Sequence, residues 1–256
     1  MPLPKLGHGS RQAEAADAAS SPLAVALHLL IDSADLGAWR ELWPLGLFQG
    51  LTTNPTLLRR AGLPCTLDAL ARLADEASAL GAEELHLQAW GGTAEHLLAC
   101  GRALLALAPE RIVVKLPLSG EGLRAAKPLV DGGARVTLTA CYGVSQALAA
   151  AAMGCTYVAP YLGRISDGGQ DGCGEVRRMG ECFAALGSPT RLLVASLRST
   201  EEICRLAVAG VDTFTLSPAL ARDFWRHPSS EAAAAQFEVD ALEPPQNTTP
   251  ELGQAS

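Results

Sequence analysis

Lys115 is the residue in this sequence with the most pointed chemistry. The chain uses arginine for nearly all of its positive charge and keeps three lysines, Lys5, Lys115 and Lys127. Lys5 lies near the N-terminus and Lys127 in a stretch of helical period, whereas Lys115 follows Ile112-Val113-Val114 and precedes Leu116-Pro117. An ammonium buried in such an apolar run is costly. Desolvation lowers its pKa toward the neutral amine, which can attack a ketone and form a Schiff base. The plainer alternative is a lysine that snorkels from a strand end to solvent or pairs with a carboxylate such as Asp32.

Other polar residues interrupt or follow short apolar runs along the chain. In order they are Asp32, Thr52-Thr53-Asn54, Gln88, Thr139, Tyr161 with Arg164, and Ser196 with Arg198. Asp32 is placed either to cap a helix beginning near Asp35 or to position substrate hydroxyls and shuttle a proton. Thr53-Asn54-Pro55 reads as a strand-to-helix turn with Asn as cap and Pro at the first helical position, leaving the amide able to face a cavity. Gln88 must find hydrogen-bond partners at the end of Leu85-His86-Leu87. Its neighbour His86 is expected on the opposite face in a structural role. The guanidinium forks of Arg164 and Arg198 and the Ser196 hydroxyl suit a phosphate monoester, although either arginine can instead pair with a loop carboxylate such as Asp167. The run Asp167-Gly168-Gly169-Gln170-Asp171-Gly172 lacks the oxygen spacing of a calcium loop and reads as a flexible lid. No metal and no cofactor are expected.

These residues need elements to bring them together. From Leu27 onward, short β-favouring runs alternate with longer alanine- and leucine-rich runs of helical period, the signature of βα units. Strands are predicted over 27–31, 47–51, 84–87, 111–116, 134–138, 156–159, 191–195 and 212–216. Gly46, Gly81, Gly133, Gly154, Gly187 and Gly210 stand at the helix exits before six of them, where a left-handed backbone ends a helix cheaply. Continuous apolar strands suit a parallel sheet covered by helices, and eight units favour closure into a (β/α)8 TIM barrel, with its site at the C-terminal strand ends. An open doubly wound sheet would usually carry a glycine-rich phosphate loop, and Asp32-Ser33-Ala34-Asp35 is not one. A single barrel domain is expected over residues 25–242, with a last helix from Glu231 to about Leu242. Residues 1–24 and 243–256 are expected to be flexible tails.

Composition bounds the function classes. The 256 residues are 48% hydrophobic and 18% charged, with a formal net charge of -7. That balance argues against nucleic acid or an anionic membrane as partner, while a small phosphorylated ligand needs only a local basic pocket. The seven cysteines include no Cys-x-x-Cys pair and read as reduced core thiols of a cytoplasmic protein. The first residues lack the pattern of a signal peptide, and the early apolar run 22–31 is too short to span a bilayer.

The motifs Leu51-Thr52-Thr53-Asn54-Pro55, Ile112-Val113-Val114-Lys115-Leu116-Pro117, Tyr157-Val158-Ala159-Pro160-Tyr161 and Val194-Ala195-Ser196 together resemble the small transaldolase and fructose-6-phosphate aldolase family, from about Leu27 to about Phe237. The resemblance implies a cofactor-free barrel of carbohydrate metabolism, in the pentose phosphate pathway, acting on a sugar phosphate. It places the Schiff-base lysine on Lys115, the proton-handling aspartate on Asp32, substrate binding on Asn54 and phosphate binding on Arg164 and Ser196; Thr53 and Arg198, next to these in the sequence, are further candidates for substrate binding. A catalytic water is implied near Gln88 and Thr139, with Tyr161 beside it. Family members acting as transaldolases usually carry glutamate and phenylalanine where this chain has Gln88 and Tyr161, whereas the aldolases carry glutamine and tyrosine. The implied reaction is therefore cleavage of fructose 6-phosphate to dihydroxyacetone and glyceraldehyde 3-phosphate. The rivals are transfer of a dihydroxyacetone unit between sugars and a catalytically silent sugar-phosphate-binding barrel. Because family members grip a neighbouring subunit with a terminal helix, a homo-oligomer is also implied.

Overall fold

A computed structural model describes residues 27–243 of the protein. Eight strands, β1 (His28–Asp32), β2 (Gly50–Thr52), β3 (Glu84–Gln88), β4 (Ile112–Pro117), β5 (Val136–Cys141), β6 (Tyr157–Pro160), β7 (Arg191–Val194) and β8 (Thr213–Leu216), close into a barrel in chain order. All the pairings are parallel, including that of β1 with β8. The helices are α1 (Leu36–Leu42), α2 (Pro55–Arg60), α3 (Leu67–Leu80), α4 (Ala94–Leu105), α5 (Gly120–Asp131), α6 (Val144–Met153), α7 (Leu162–Asp167), α8 (Gly172–Leu186), α9 (Thr200–Val208), α10 (Pro218–Asp223) and α11 (Pro228–Leu242). Each predicted strand coincides with an observed one to within a few residues. The six predicted helix-exit glycines all take positive φ, from 59° at Gly187 to 84° at Gly210. The expected tails fall almost wholly outside the described residues.

Strand parity divides the core. Leu29, Ile31, Leu51, Leu85, Leu87, Ile112, Val114, Leu116, Val136 and Leu138 point outward and pack with the helices in one continuous apolar layer. Burial of these faces drives closure, at roughly 1.5–3 kcal/mol for each fully buried large aliphatic side chain. Inside the barrel only Leu30, Val113, Tyr157, Ala159 and Leu193 form an apolar cluster, with Tyr161 against it. Most of the remaining inward positions are polar, among them Thr52, Glu84, His86, Lys115, Thr137 and Thr215. The helices sit close to the strands where a glycine allows it: a Cβ on Gly122 of α5 would stand 1.8 Å from the Pro117 carbonyl oxygen.

At the N-terminal ends of the strands the interior holds a buried carboxylate, Glu84. The Tyr157 hydroxyl donates to both its oxygens at 3.2 and 3.1 Å, and Arg135 Nη1 donates at 3.2 Å. His86 Nε2 stands 3.1 Å away and His28 Nε2 3.6 Å. Gly50 makes the room, since a Cβ there would lie 2.8 Å from Glu84 Cγ. His86 is fully enclosed, with Nδ1 3.0 Å from Thr137 Oγ1. It lies on the same inward face as Gln88, not the opposite one, because residues two apart on a strand share a face. Burial lowers its pKa, so it stands as a neutral spacer between Glu84 and the upper barrel.

Burial alone would raise the Glu84 pKa, but His86, His28 and Tyr157 outweigh it and hold the carboxyl at about 2. A carboxyl depressed in the folded state adds stability that is complete above its unfolded value of 4.5 and lost as pH falls through the folded value. Urea unfolding of the wild type should therefore weaken between pH 4.5 and about 2 more steeply than that of Glu84→Gln. Parallel acid limbs for the two proteins would contradict this account of the barrel floor.

Candidate active site

The C-terminal strand ends surround a cavity of about 340 Å³, with Lys115 and Asp32 at its base. Lys115 comes up from β4, and its residue surface is 4% exposed. Burial lowers its pKa, and the charge of Asp32 partly restores it. Asp32 itself is held by Thr52, whose hydroxyl donates to Oδ1 at 2.6 Å and lies 2.7 Å from Thr215 Oγ1. The helix cap that Asp32 seemed placed to supply is made by Asp35, whose Oδ1 accepts from the Gly37 amide. Asp32 is thus free to face the amine.

Tyr161 follows β6 and borders the same cavity. Burial raises the pKa of its phenol, the nearby Thr139 hydroxyl opposes that shift, and the charge of Asp32 adds to it. At neutral pH the ring is therefore a proton donor. Thr139 is aimed by an irregularity in β5: the register shifts between Leu138 and Cys141, and Ala140 takes a φ of 58°. The Thr139 hydroxyl lies 3.2 Å from both Gln88 Oε1 and the Leu116 carbonyl, while Gln88 Nε2 donates to the Lys115 carbonyl at 3.1 Å. Gln88 and Thr139 therefore form a fixed pair behind the cavity wall.

The cavity mouth is basic. Arg164 of α7 lies 4.7 Å from the centroid of the Tyr161 ring, and the Tyr142 ring meets Tyr161 edge-on at 6.0 Å. Ser196, at the end of β7, has a φ of 61°, an uncommon left-handed conformation for a non-glycine residue and one that clusters at functional sites. A glycine at 163 allows this turn to approach, since a Cβ there would stand 2.3 Å from the Ser196 carbonyl oxygen and 2.5 Å from Arg198 Nε. Arg198 borders the cavity but donates to Asp167 at 2.6 Å. Of the two arginines weighed for pairing with Asp167, Arg198 is the one that makes the ion pair.

Asn54 caps α2 through Oδ1, which accepts from the Thr56 and Leu57 amides, and its residue lines the cavity. The structure brings Lys115, Asp32, Tyr161, Asn54, Arg164, Ser196 and Arg198 together around one space. Thr53 lies outside it, buried and with a hydroxyl that has no partner among the described residues. Within the run read as a flexible lid, residues 168–171 make a short exposed connection from α7 to α8, Asp171 caps α8 by accepting from the Gly174 amide, and a Cβ on Gly172 would stand 2.6 Å from the Leu162 carbonyl oxygen. Four lining residues escaped the sequence reading: Thr56, Leu57 and Arg60 on α2, and Ser217, the cap of α10. The spacing of Asn54, Leu57 and Arg60 on one helix face is the signal that points to the first group.

The family described as transaldolase/fructose-6-phosphate aldolase matches residues 29–251. A protein named probable transaldolase from Caulobacter sp. (strain K31) is 35% identical over 84% of this chain and 96% of its own length. Proteins of the same name from Sorangium cellulosum (strain So ce56), at 34% identity over 86% of this chain and 99% of their own, and from Rhodospirillum centenum (strain ATCC 51521 / SW), at 33% over 86% and 94%, are also similar. No helix among the described residues is long and apolar enough to cross a membrane.

The electrostatics of the lysine give a direct test. Acylation of Lys115 by an amine-directed reagent, followed by mass spectrometry across pH, should half-titrate below the ordinary lysine value of 10.5. Asp32→Asn removes the influence that raises the pKa, so the midpoint should move lower still. An upward movement in Asp32→Asn, or an unshifted wild-type lysine, would refute this description of the site.

Proposed function

We propose that this chain, which belongs to the transaldolase/fructose-6-phosphate aldolase family, is a class I aldolase that cleaves fructose 6-phosphate to dihydroxyacetone and glyceraldehyde 3-phosphate, or runs the reverse addition. The observation that carries this reading is a protonated phenol, Tyr161, on the wall of the Lys115 cavity, with an amide, Gln88, behind Thr139.

The Lys115 amine attacks the ketose C2 carbonyl, and loss of water from the carbinolamine leaves an iminium. A base removes the proton of the C4 hydroxyl, the C3–C4 bond breaks, and its electron pair flows into the iminium. Glyceraldehyde 3-phosphate leaves and a dihydroxyacetone enamine remains. Asp32 is placed to hold substrate hydroxyls and carry protons at the lysine, and Asn54 to bind the sugar from the α2 side. The Tyr161 phenol, working with a water held at Thr139, returns a proton to C3. Water then hydrolyses the iminium to free dihydroxyacetone and Lys115. Gln88 can orient Thr139 and that water but cannot accept a proton as a carboxylate would.

A transaldolase is the second reading, favoured by the relatives named probable transaldolase. It shares every step up to the enamine, which then adds to an acceptor aldehyde instead of taking a proton. In either case Arg164 and Ser196 hold the phosphate. A homo-oligomer is part of the proposal, supported by α11, whose residues are all exposed, with Phe237 at 69% and Leu242 at 86%.

With fructose 6-phosphate and no acceptor, both cleavage products should accumulate, at a rate comparable to or above transfer to erythrose 4-phosphate. Tyr161→Phe should slow cleavage by about two orders of magnitude, within the usual contribution of a general acid, and Gln88→Glu should shift the balance toward transfer. A strict need for an acceptor, together with an unchanged rate in Tyr161→Phe, would replace the aldolase by a transaldolase.

Arg164→Ala should raise KM for phosphorylated ketoses by about one to two decades, from loss of a charge-assisted pair. Unphosphorylated substrates should be affected far less. Equal losses for the two substrate types would make Arg164 a structural residue.

A further inference from the structure

The charge balance at the mouth of the cavity points beyond the residues just assigned. Three guanidiniums border the space, those of Arg60, Arg164 and Arg198. Arg198 is neutralised by Asp167, whose Oδ2 lies 2.6 Å from its Nη2. Arg164 lies over the Tyr161 ring and has no carboxylate within 4.0 Å of its guanidinium among the described residues. Among the described residues no carboxylate lies within 4.0 Å of the Arg60 guanidinium. A phosphate monoester carries roughly -1.5 to -2 charges at neutral pH, and Arg164 alone supplies one countercharge. The remaining uncompensated cation on the cavity wall is Arg60.

Topology gives Arg60 a distinct direction of approach. In a closed barrel of eight strands in chain order, the loops after β2 and β6 face one another across the axis. Arg164 follows β6 and Arg60 ends the helix that follows β2. Helix α2 begins at the Asn54 cap, and six residues at 1.5 Å each put Arg60 ~9 Å from that cap along the helix axis. Asn54 and Arg60 therefore line the cavity from the two ends of α2, on the side of the barrel opposite the Arg164 loop. Its neighbour Arg59 is also exposed but does not border the cavity.

We propose that Arg60 is the second phosphate-binding cation of this site, closing on the substrate phosphate opposite Arg164 and contributing more to its binding than Arg198, which stays engaged with Asp167. The inference rests on the reading of the site as one for a phosphorylated ketose, and it concerns which residues set that specificity.

The test measures binding of inorganic phosphate by calorimetry, and fructose 6-phosphate kinetics, in the full-length protein and in Arg60→Gln, Arg59→Gln and Arg198→Gln. Glutamine keeps helix propensity at 60 and 59, and both positions are exposed, so folding is preserved. Arg60→Gln should weaken phosphate binding and raise KM about tenfold, as expected for loss of one charge-assisted contact, with kcat changed less than about twofold. Arg59→Gln should match the wild type, and Arg198→Gln should lose less than Arg60→Gln. Borohydride trapping of dihydroxyacetone, which has no phosphate, should be the same in Arg60→Gln as in the wild type. Unaltered phosphate binding in Arg60→Gln, a larger loss in Arg198→Gln, or an equal loss in Arg59→Gln would overturn the inference. Failure of the aldolase reading would look different: wild-type protein that binds phosphate through Arg60 but does not cleave the ketose.

Discussion

An amine enclosed among strands cannot carry its charge without cost, and most of the upper barrel can be understood as an answer to that constraint. Lys115 has its neutral form favoured by burial and its charged form recovered in part by Asp32. The carboxylate that does this is tethered by Thr52 and Thr215, so it stays near the lysine without being consumed as a helix cap. The same low-dielectric surroundings keep the Tyr161 phenol protonated. One desolvated pocket therefore favours a neutral amine and a protonated phenol side by side, the pair that the proposed Schiff-base chemistry uses.

The barrel interior separates this chemistry from a second ionised group. Glu84 holds its charge near the N-terminal strand ends, compensated by the Arg135 guanidinium and by hydrogen bonding from the Tyr157 hydroxyl. His86, buried and neutral, fills the level between Glu84 and Lys115. A second carboxylate beside Lys115, added to Asp32, would favour the ammonium further. The spacing lets the fold keep a buried ion network without placing it at the reacting nitrogen.

Much of the barrel was legible in the sequence because its outer layer obeys a simple rule: apolar strand faces under apolar helix faces, with a glycine at the turn. Lys115, Asp32, Tyr161 and the arginines could be found because each ends an apolar run. What could not be read has a common cause, since local sequence does not say which of several chemically equal residues takes a structural duty. Asp32 and Asp35 were both able to cap α1, and only the backbone shows that Asp35 does so. Arg164 and Arg198 were both able to pair with Asp167, and Arg198 takes it. The glycine-rich run before α8 looked mobile because glycine serves flexibility and close packing alike. At Gly172 the nearby Leu162 carbonyl and Ser166 hydroxyl require the second. Arg60 is not legible because it lies on a helix, where arginine is usually solvated, and only the tertiary placement of α2 sets it on the cavity wall.

Both reactions proposed for this protein, cleavage and transfer, pass through a covalent bond between Lys115 and a ketone carbon. Borohydride reduction in the presence of dihydroxyacetone, with peptide mapping by mass spectrometry, tests that bond without assuming which reaction follows it. The account predicts an irreversible adduct on the Lys115 peptide that is absent from Lys115→Arg, whose guanidinium stays protonated and cannot attack. An adduct on Lys127, or none with any ketose, would contradict it.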